Sequence, residues 1–171
     1  MRSTMYKGLI AAMIMIGCAF GAQADELATV LRVIDGDTLK ITYEGRKESI
    51  RLIGIDAPES KINNKAWKDA AQSSHDIAVI TSMGKEATGY VKTLINEGSA
   101  ISIEFDLQKR DKYRRLLGYA YLPDGKMLNE EIVKAGYAGV MTYPPNVKYR
   151  DKFVKAYREA REAQRGLYRT N

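Results

Sequence analysis

Apolar and polar residues alternate in three short segments in the first third of the chain, at residues 27–34, 38–43 and 48–55. Such alternation predicts β-strands, because successive side chains of a strand point to opposite faces. Asp35-Gly36-Asp37 and Glu44-Gly45-Arg46 separate the segments, and such glycine-containing steps favour tight turns. We therefore predict three antiparallel strands. The alternation is loose in the first and third, as expected for a closed barrel whose strands are partly covered on both faces.

A helical pattern follows, starting near Gly84 and stopping before Gly98. Its apolar positions have the three- and four-residue spacing of an amphipathic helix, and they are Ala87, Tyr90, Val91, Leu94 and Ile95. Two further strand-like segments come next, at residues 100–105 and 115–121. The chain thus returns from a helix to the sheet.

The last part of the chain is predicted to be helical. Residues 127–135 form a short helix ended by Gly136, and a longer helix begins after Asn146. The apolar face of the longer helix carries Tyr149, Phe153, Ala156, Tyr157 and Ala160. The order of elements predicts a mainly β fold with α-helices (α+β), namely a five-stranded OB-fold barrel with three helices.

A polar stretch between Glu59 and Gly84 is too long for a plain hairpin loop. It is either a functional lid or a segment with its own helix, for which residues 65–74 are a weak candidate. We interpret His75 as a solvated loop residue rather than a catalytic one. Trp67 is predicted to be a local packing residue rather than a platform for stacking bases.

The first 24 residues have the features of a signal peptide. Arg2 and Lys7 precede an apolar stretch at residues 8–16, and Ala22-Gln23-Ala24 has the form of a cleavage site. We expect an exported protein, periplasmic or secreted, whose single domain comprises residues 25–171. An uncleaved anchor and a lipid anchor attached to Cys18 are the alternatives.

Composition restricts the chemistry that such a domain can perform. The formal net charge of +6 falls to +4 without the leader, a modest excess that is compatible with a polyanionic substrate. Cys18 is the only cysteine and His75 the only histidine, which excludes cysteine nucleophiles, cysteine zinc sites and paired-histidine mechanisms. Catalysis would have to use carboxylates, Arg, Lys, Tyr and hydroxyl groups.

Three short motifs combine these groups. The first is Asp35-Gly36-Asp37-Thr38, the second runs from Arg51 to Glu59, and the third is Asp111-Lys112-Tyr113-Arg114-Arg115. Alone, each has a plain structural explanation: a hairpin turn, the end of a strand and a solvated run of charge. Together and in this order, they resemble the signatures of the staphylococcal nuclease (thermonuclease) family, over roughly residues 30–168.

The resemblance implies a Ca²⁺ site and a catalytic base. The carboxylates of Asp37 and Asp56 and the backbone carbonyl of Ala57 would hold the ion, since Ca²⁺ prefers oxygen ligands. Glu59 would position or deprotonate the attacking water.

It also implies how a phosphodiester is held. Arg51 and Arg115 would stabilise charge on the phosphate oxygens, whereas Lys112, Tyr113 and Tyr143 would contact the phosphate, sugar or base of the substrate.

The function implied is that of an exported, Ca²⁺-dependent nuclease. It would hydrolyse DNA and RNA with little sequence preference, favour single strands, leave 3′-phosphorylated products and act as a monomer without a stable protein partner. The alternative is a catalytically inert OB-fold module that binds nucleic acid. An OB-fold that binds oligosaccharide or protein would leave the carboxylates and arginines unexplained.

Local geometry makes a separate demand. Arg51 and Asp56 are five positions apart, so in a regular strand their side chains would point to opposite faces. We predict a bend between Gly54 and Pro58 that brings both to one site. Two departures from the family pattern are Arg114, which stands where glycine is usual, and a longer segment after Glu59.

Overall fold

The structure is a computed structural model and describes residues 26–170. The expected leader, including Cys18, lies outside these residues. Within them, no helix is both long enough and apolar enough to cross a membrane.

Twelve elements follow one another along the described chain. In order they are β1 (Glu26–Asp35), β2 (Thr38–Tyr43), β3 (Arg46–Leu52), β4 (Gly54–Asp56), α1 (Asn64–Ser73), α2 (Ile77–Leu94), β5 (Ala100–Arg110), β6 (Leu116–Tyr121), α3 (Leu128–Lys134), β7 (Gly139–Met141), α4 (Arg150–Glu162) and the 3₁₀ helix η1 (Gly166–Tyr168).

Five of the strands close into a barrel in the order β1-β2-β3-β6-β5. Neighbouring strands are antiparallel except for β3 and β6, which run parallel, with Arg51 opposite Leu117. The predicted five-stranded OB-fold barrel is confirmed, including the helical segment between its third and fourth strands. Because β6 lies directly beside β3, the start of β6 and the end of β3 are brought to the same part of the surface.

Inward-facing aliphatic side chains hold the barrel together. The alternation in β2 buries Leu39 and Ile41 completely, and β3 buries Ile50 and Leu52 in the same way. Each such side chain contributes about 1.5–3 kcal/mol when it leaves water. The barrel is therefore a rigid support for the residues at its strand ends.

The helices differ from the prediction in two respects. The described residues form four α-helices, not three, because the weak candidate at residues 65–74 is a real helix, α1. The second helix, α2, begins at Ile77 and not near Gly84, since Asp76 caps it by accepting a hydrogen bond from the amide of Ala78. Gly84 therefore lies inside the helix.

Trp67 was wrongly predicted to be a packing residue. Its side chain is 57% exposed, and α1 packs against α2 through Ala66, Ala70 and Ile80 instead. His75 lies exposed in the short connection between the two helices, in agreement with its interpretation as a solvated loop residue.

Candidate active site

The chain bends sharply after β3. That strand ends at Leu52, and after Ile53 the short strand β4 pairs with β7 and leaves the barrel sheet. Gly54 adopts a φ of +83°, which only glycine reaches without steric cost, and the ring of Phe153 packs against its α-carbon. The single long strand predicted over residues 48–55 is thus wrong, but the predicted bend is confirmed.

The bend brings Asp56 back to Arg51. Nη2 of Arg51 donates a hydrogen bond to Oδ1 of Asp56 over 2.6 Å, and Nη1 forms an ion pair with Oδ1 of Asp37. The other oxygen of Asp37, Oδ2, accepts a hydrogen bond of 2.8 Å from the amide of Ala57. One planar guanidinium therefore bridges two carboxylates, one from the turn between β1 and β2 and one from the end of β4.

Burial disfavours the charged forms of Asp37 and its neighbour Asp35. Asp37 is only 2% exposed, and burial raises its pKa to about 6, although Arg51 opposes the shift. Burial and the charge of Glu59 also raise the pKa of Asp35. Among residues 26–170, Oδ1 of Asp35 is buried without a hydrogen-bond partner. More negative charge is gathered here than Arg51 alone can balance.

Glu59 lies just beyond the bend and is tied to the start of α1. Its Oε2 accepts a hydrogen bond of 2.7 Å from Nδ2 of Asn63. Oδ1 of the same asparagine caps α1 by accepting a hydrogen bond of 2.8 Å from the amide of Ala66. Asn63 therefore fixes the helix relative to the predicted base.

Lys65 enters the same cluster from the first turn of α1. Its Nζ lies 3.0 Å from the carbonyl oxygen of Ala57 and 3.5 Å from Oδ1 of Asp56. Oδ2 of Asp69 lies 3.0 Å from Nζ, and Oε1 of Glu59 lies 3.5 Å from it. Although burial alone would lower the pKa of Lys65, these carboxylates raise it above its ordinary value.

Sequence reasoning missed Lys65, Asp69 and Asn63 as residues of this cluster. A signal was present, because Lys65 and Asp69 have the i, i+4 spacing of a helical ion pair directly after an asparagine suited to an N-cap.

The donor atoms fit a hard cation. Carboxylate oxygens of Asp37 and Asp56 and the carbonyl oxygen of Ala57 are the ligand types that Ca²⁺ takes, with water completing the shell. In the part of the chain that the structure describes, no three Asp, Glu, His or Cys side chains are placed to share one ion. The same oxygens are instead engaged by Arg51 and Lys65.

Arg115 immediately precedes β6, the neighbour of β3. Its Nε donates a hydrogen bond of 2.7 Å to Oδ2 of Asp111, while Oδ1 of Asp111 accepts from the amides of Tyr113 and Arg115. The aspartate therefore shapes the turn and orients the guanidinium. Arg114 takes a left-handed φ of +67°, which explains why glycine is usual there.

The predicted substrate residues lie on two exposed loops. Tyr113 is 69% exposed, with Nζ of Lys112 5.0 Å and Cζ of Arg115 5.7 Å from its ring centre. Tyr143 is 78% exposed, on the loop between β7 and α4.

Asn146 joins the Tyr143 loop to β5. Its Oδ1 accepts a hydrogen bond of 2.8 Å from the amide of Gln108, and its Nδ2 donates one of 2.8 Å to the carbonyl of Gln108. This buried carboxamide therefore fastens the loop to the same β5–β6 hairpin that carries Tyr113.

Comparison with known proteins identifies the family of this chain. The family model of staphylococcal nuclease homologues matches residues 49–170, which is more than half of the chain. The chain belongs to the staphylococcal nuclease family. The match includes Arg51, Asp56, Glu59 and Arg115, whereas Asp37 precedes it.

Three curated relatives illustrate the range of the family. The SPbeta prophage-derived endonuclease YokF of Bacillus subtilis is 37% identical over 145 residues, which are 84% of this chain and 44% of the relative. Endonuclease YncB of the same organism is 37% identical over 142 residues, 82% of this chain and 60% of the relative. The thermonuclease of Staphylococcus hyicus is 32% identical over 140 residues, 81% and 73% of the two chains. This chain therefore spans less than two thirds of each Bacillus relative.

The family site predicted from sequence thus divides into two parts. Asp37, Arg51, Asp56, Ala57 and Glu59 meet in one cluster at the bend. Arg115, Lys112, Tyr113 and Tyr143 lie on loops, at the start of β6 and before α4. The chemical roles of these residues remain predictions.

Proposed function

We propose that this protein is a Ca²⁺-dependent nuclease that hydrolyses phosphodiester bonds of DNA and RNA with low sequence specificity. One observation carries the proposal: Arg51 bridges Asp37 and Asp56 where the chain bends toward Glu59. The cluster thereby holds the guanidinium of Arg51, which is suited to bind phosphate. It also holds two carboxylates suited to bind a metal ion, and a candidate base. Membership of a family with relatives named as endonucleases and thermonucleases supports it.

Asp37, Asp56 and the carbonyl of Ala57 would hold the ion. When bound, the ion would polarise the phosphate as a Lewis acid. Glu59 takes a proton from the attacking water, and its carboxylate is already oriented by Asn63. The guanidinium of Arg51 exchanges its carboxylate partners for phosphate oxygens, which it matches equally well as a two-pronged donor.

Arg115 supplies a second positive charge from the position just before β6, the strand that lies beside β3. Its Nε is held by Asp111, which leaves the terminal nitrogens of the guanidinium free of that bond to face a phosphate.

Substrate recognition would centre on the phosphate backbone. Tyr113 and Tyr143 offer exposed rings on which unpaired bases can stack, and stacking is tolerant of sequence. This supports a preference for single strands and low specificity. By family resemblance, the products carry 3′-phosphates.

Location and assembly are also proposals. The features of residues 1–24 favour an exported protein that loses its leader, and we propose that the mature domain acts as a monomer.

The test is to incubate the purified protein with heat-denatured DNA and with RNA, in Ca²⁺, in Mg²⁺ and in chelator. We expect cleavage in Ca²⁺, and a loss of about 10²- to 10⁴-fold in Glu59→Gln, because a general base contributes that much. Glu162→Gln, at the exposed end of α4, is the matched control and should retain full activity. Tight binding without cleavage under every condition would instead favour the inert binding module.

A further inference from the structure

The ammonium group of Lys65 lies among oxygens that the proposed metal site would use. Two of its four oxygen neighbours, the carbonyl of Ala57 and Oδ1 of Asp56, belong to proposed ligands, and a third belongs to Glu59. Asp69 supplies the fourth. The ammonium group is thus a single positive charge with four oxygen neighbours.

The position of Lys65 in the first turn of α1 is electrostatically unfavourable for the helix. The first turn of a helix favours acidic residues, because the helix dipole places partial positive charge there. The first turn of α1 has no acidic residue and carries Lys65. The surrounding carboxylates offset this unfavourable placement.

The helix that delivers Lys65 is fixed in place. Asn63 joins its N-terminus to Glu59, and Ala66 and Ala70 pack it against α2. The lysine side chain itself is 29% exposed, so it can turn out to solvent without unfolding the helix.

We propose that Lys65 is a tethered cation that competes with the divalent ion for these oxygens and so sets the affinity of the site for Ca²⁺. The divalent ion binds when the ammonium group withdraws, and that withdrawal also frees Oε1 of Glu59. This gives a function to the long segment after Glu59. The inference rests on the proposed function, because it takes the same residues as metal ligands.

The experiment compares the wild-type protein with Lys65→Met, which removes the charge and keeps most of the aliphatic chain. Lys68→Met is the matched control, since Lys68 lies on the same helix and is exposed. Titration calorimetry with calcium chloride measures affinity directly. Thermal unfolding in chelator and in Ca²⁺ measures how far the ion stabilises each protein.

We expect Lys65→Met to bind Ca²⁺ more tightly by on the order of tenfold, because the binding-competent form no longer has to displace the ammonium group. In chelator the variant should melt below the wild type, since the carboxylates have lost a counter-charge. In Ca²⁺ it should gain more in melting temperature than the wild type. Lys68→Met should match the wild type in both measurements.

Equal or weaker Ca²⁺ affinity in Lys65→Met would overturn the competition, and the proposed nuclease function would stand. If neither protein bound Ca²⁺ and neither cleaved nucleic acid, the proposed function itself would fail, and the inference with it. A tighter site in both lysine variants would mean that general charge, and not the position of Lys65, sets the affinity.

Discussion

The backbone of α2 touches the backbone of the predicted base: a β-carbon at Gly84 would lie 2.5 Å from the amide nitrogen of Ser60 and closer still to the carbonyl of Glu59. Glycine inside a helix costs about 1 kcal/mol relative to alanine. Its presence here is explained by this close approach, which lets α2 support the segment that holds Glu59.

Gly84→Ala should therefore push Glu59 out of position. We expect activity to fall by about 10²-fold, as small displacements of catalytic groups can cause, and stability to fall by about 1–3 kcal/mol from overpacking. Gly89→Ala is the control on the same helix, because a β-carbon there meets nothing within 4 Å. It should be stabilised by up to about 1 kcal/mol with unchanged activity. Kinetics and urea unfolding of both variants test this, and full activity in Gly84→Ala would contradict it.

The left-handed backbone at Arg114 gives a second prediction. A non-glycine residue in this conformation costs about 1–2 kcal/mol, and glycine avoids that cost. Glycine also loses more conformational entropy on folding, which cancels part of the gain. Arg114→Gly should therefore raise the free energy of unfolding by about 0.5–1 kcal/mol. Arg114→Ala removes the same charge but keeps the β-carbon, so it should bring no such gain in urea unfolding. A gain of the same size in both would point to charge instead of backbone strain.

Glu104 on β5 predicts a pH-dependent stability. Burial alone would raise its pKa, but Lys148, Tyr121 and Tyr149 donate hydrogen bonds to its carboxylate and bring the pKa below the ordinary value of 4.5. A carboxyl whose pKa is lower in the folded state stabilises the fold above its unfolded pKa, and this contribution is lost as the pH falls through the folded value.

Glu104→Gln should thus be destabilised by about 1–3 kcal/mol at pH 7, because charged hydrogen bonds are lost. The difference from wild type should shrink below pH 4.5, the ordinary pKa of the group. Thermal melts at intervals of about one pH unit, between roughly pH 3 and 7, would check this. Glu162→Gln, which is exposed, should follow the wild type throughout. A constant difference across this range would rule out the linkage.

The exposed rings of Tyr113 and Tyr143 predict a stacking contribution to substrate binding. Each Tyr→Ala change should weaken binding of a single-stranded oligonucleotide by about 1–3 kcal/mol, the usual value for one stacked base. Tyr→Phe at either position keeps the ring and should retain most of the affinity. Fluorescence anisotropy on a Glu59→Gln background separates binding from cleavage. Equal losses in the Phe and Ala variants would assign the effect to the hydroxyl groups.

The barrel was predictable because apolar and polar residues alternate in its strands and turn sequences follow β1 and β2, so local patterns and global fold agree. Asp37, Arg51 and Asp56 were predicted through the resemblance of the three motifs to the staphylococcal nuclease family. The five-residue spacing of Arg51 and Asp56 added the prediction of a bend. Arg114 could be recognised as unusual because it stands where glycine is usual in the family pattern.

The segment after Glu59 was not predictable in the same way. Its helix α1 buries little beyond Ala66 and Ala70, so the apolar periodicity that identifies a helix is weak. The start of α2 was predicted near Gly84, although its N-cap is Asp76. Gly84 allows close packing and does not initiate the helix. What Lys65 contacts depends on the tertiary position of that helix, and no local pattern specifies it.

The bend at Gly54 is completed by parts of the chain that are synthesised much later. Its pairing partner, Met141, lies in β7, and the ring that packs on its α-carbon belongs to Phe153 in α4. A nascent chain that has not yet reached these residues lacks both contacts at the bend. We therefore expect the proposed active site to form only after β7 and α4 have been synthesised.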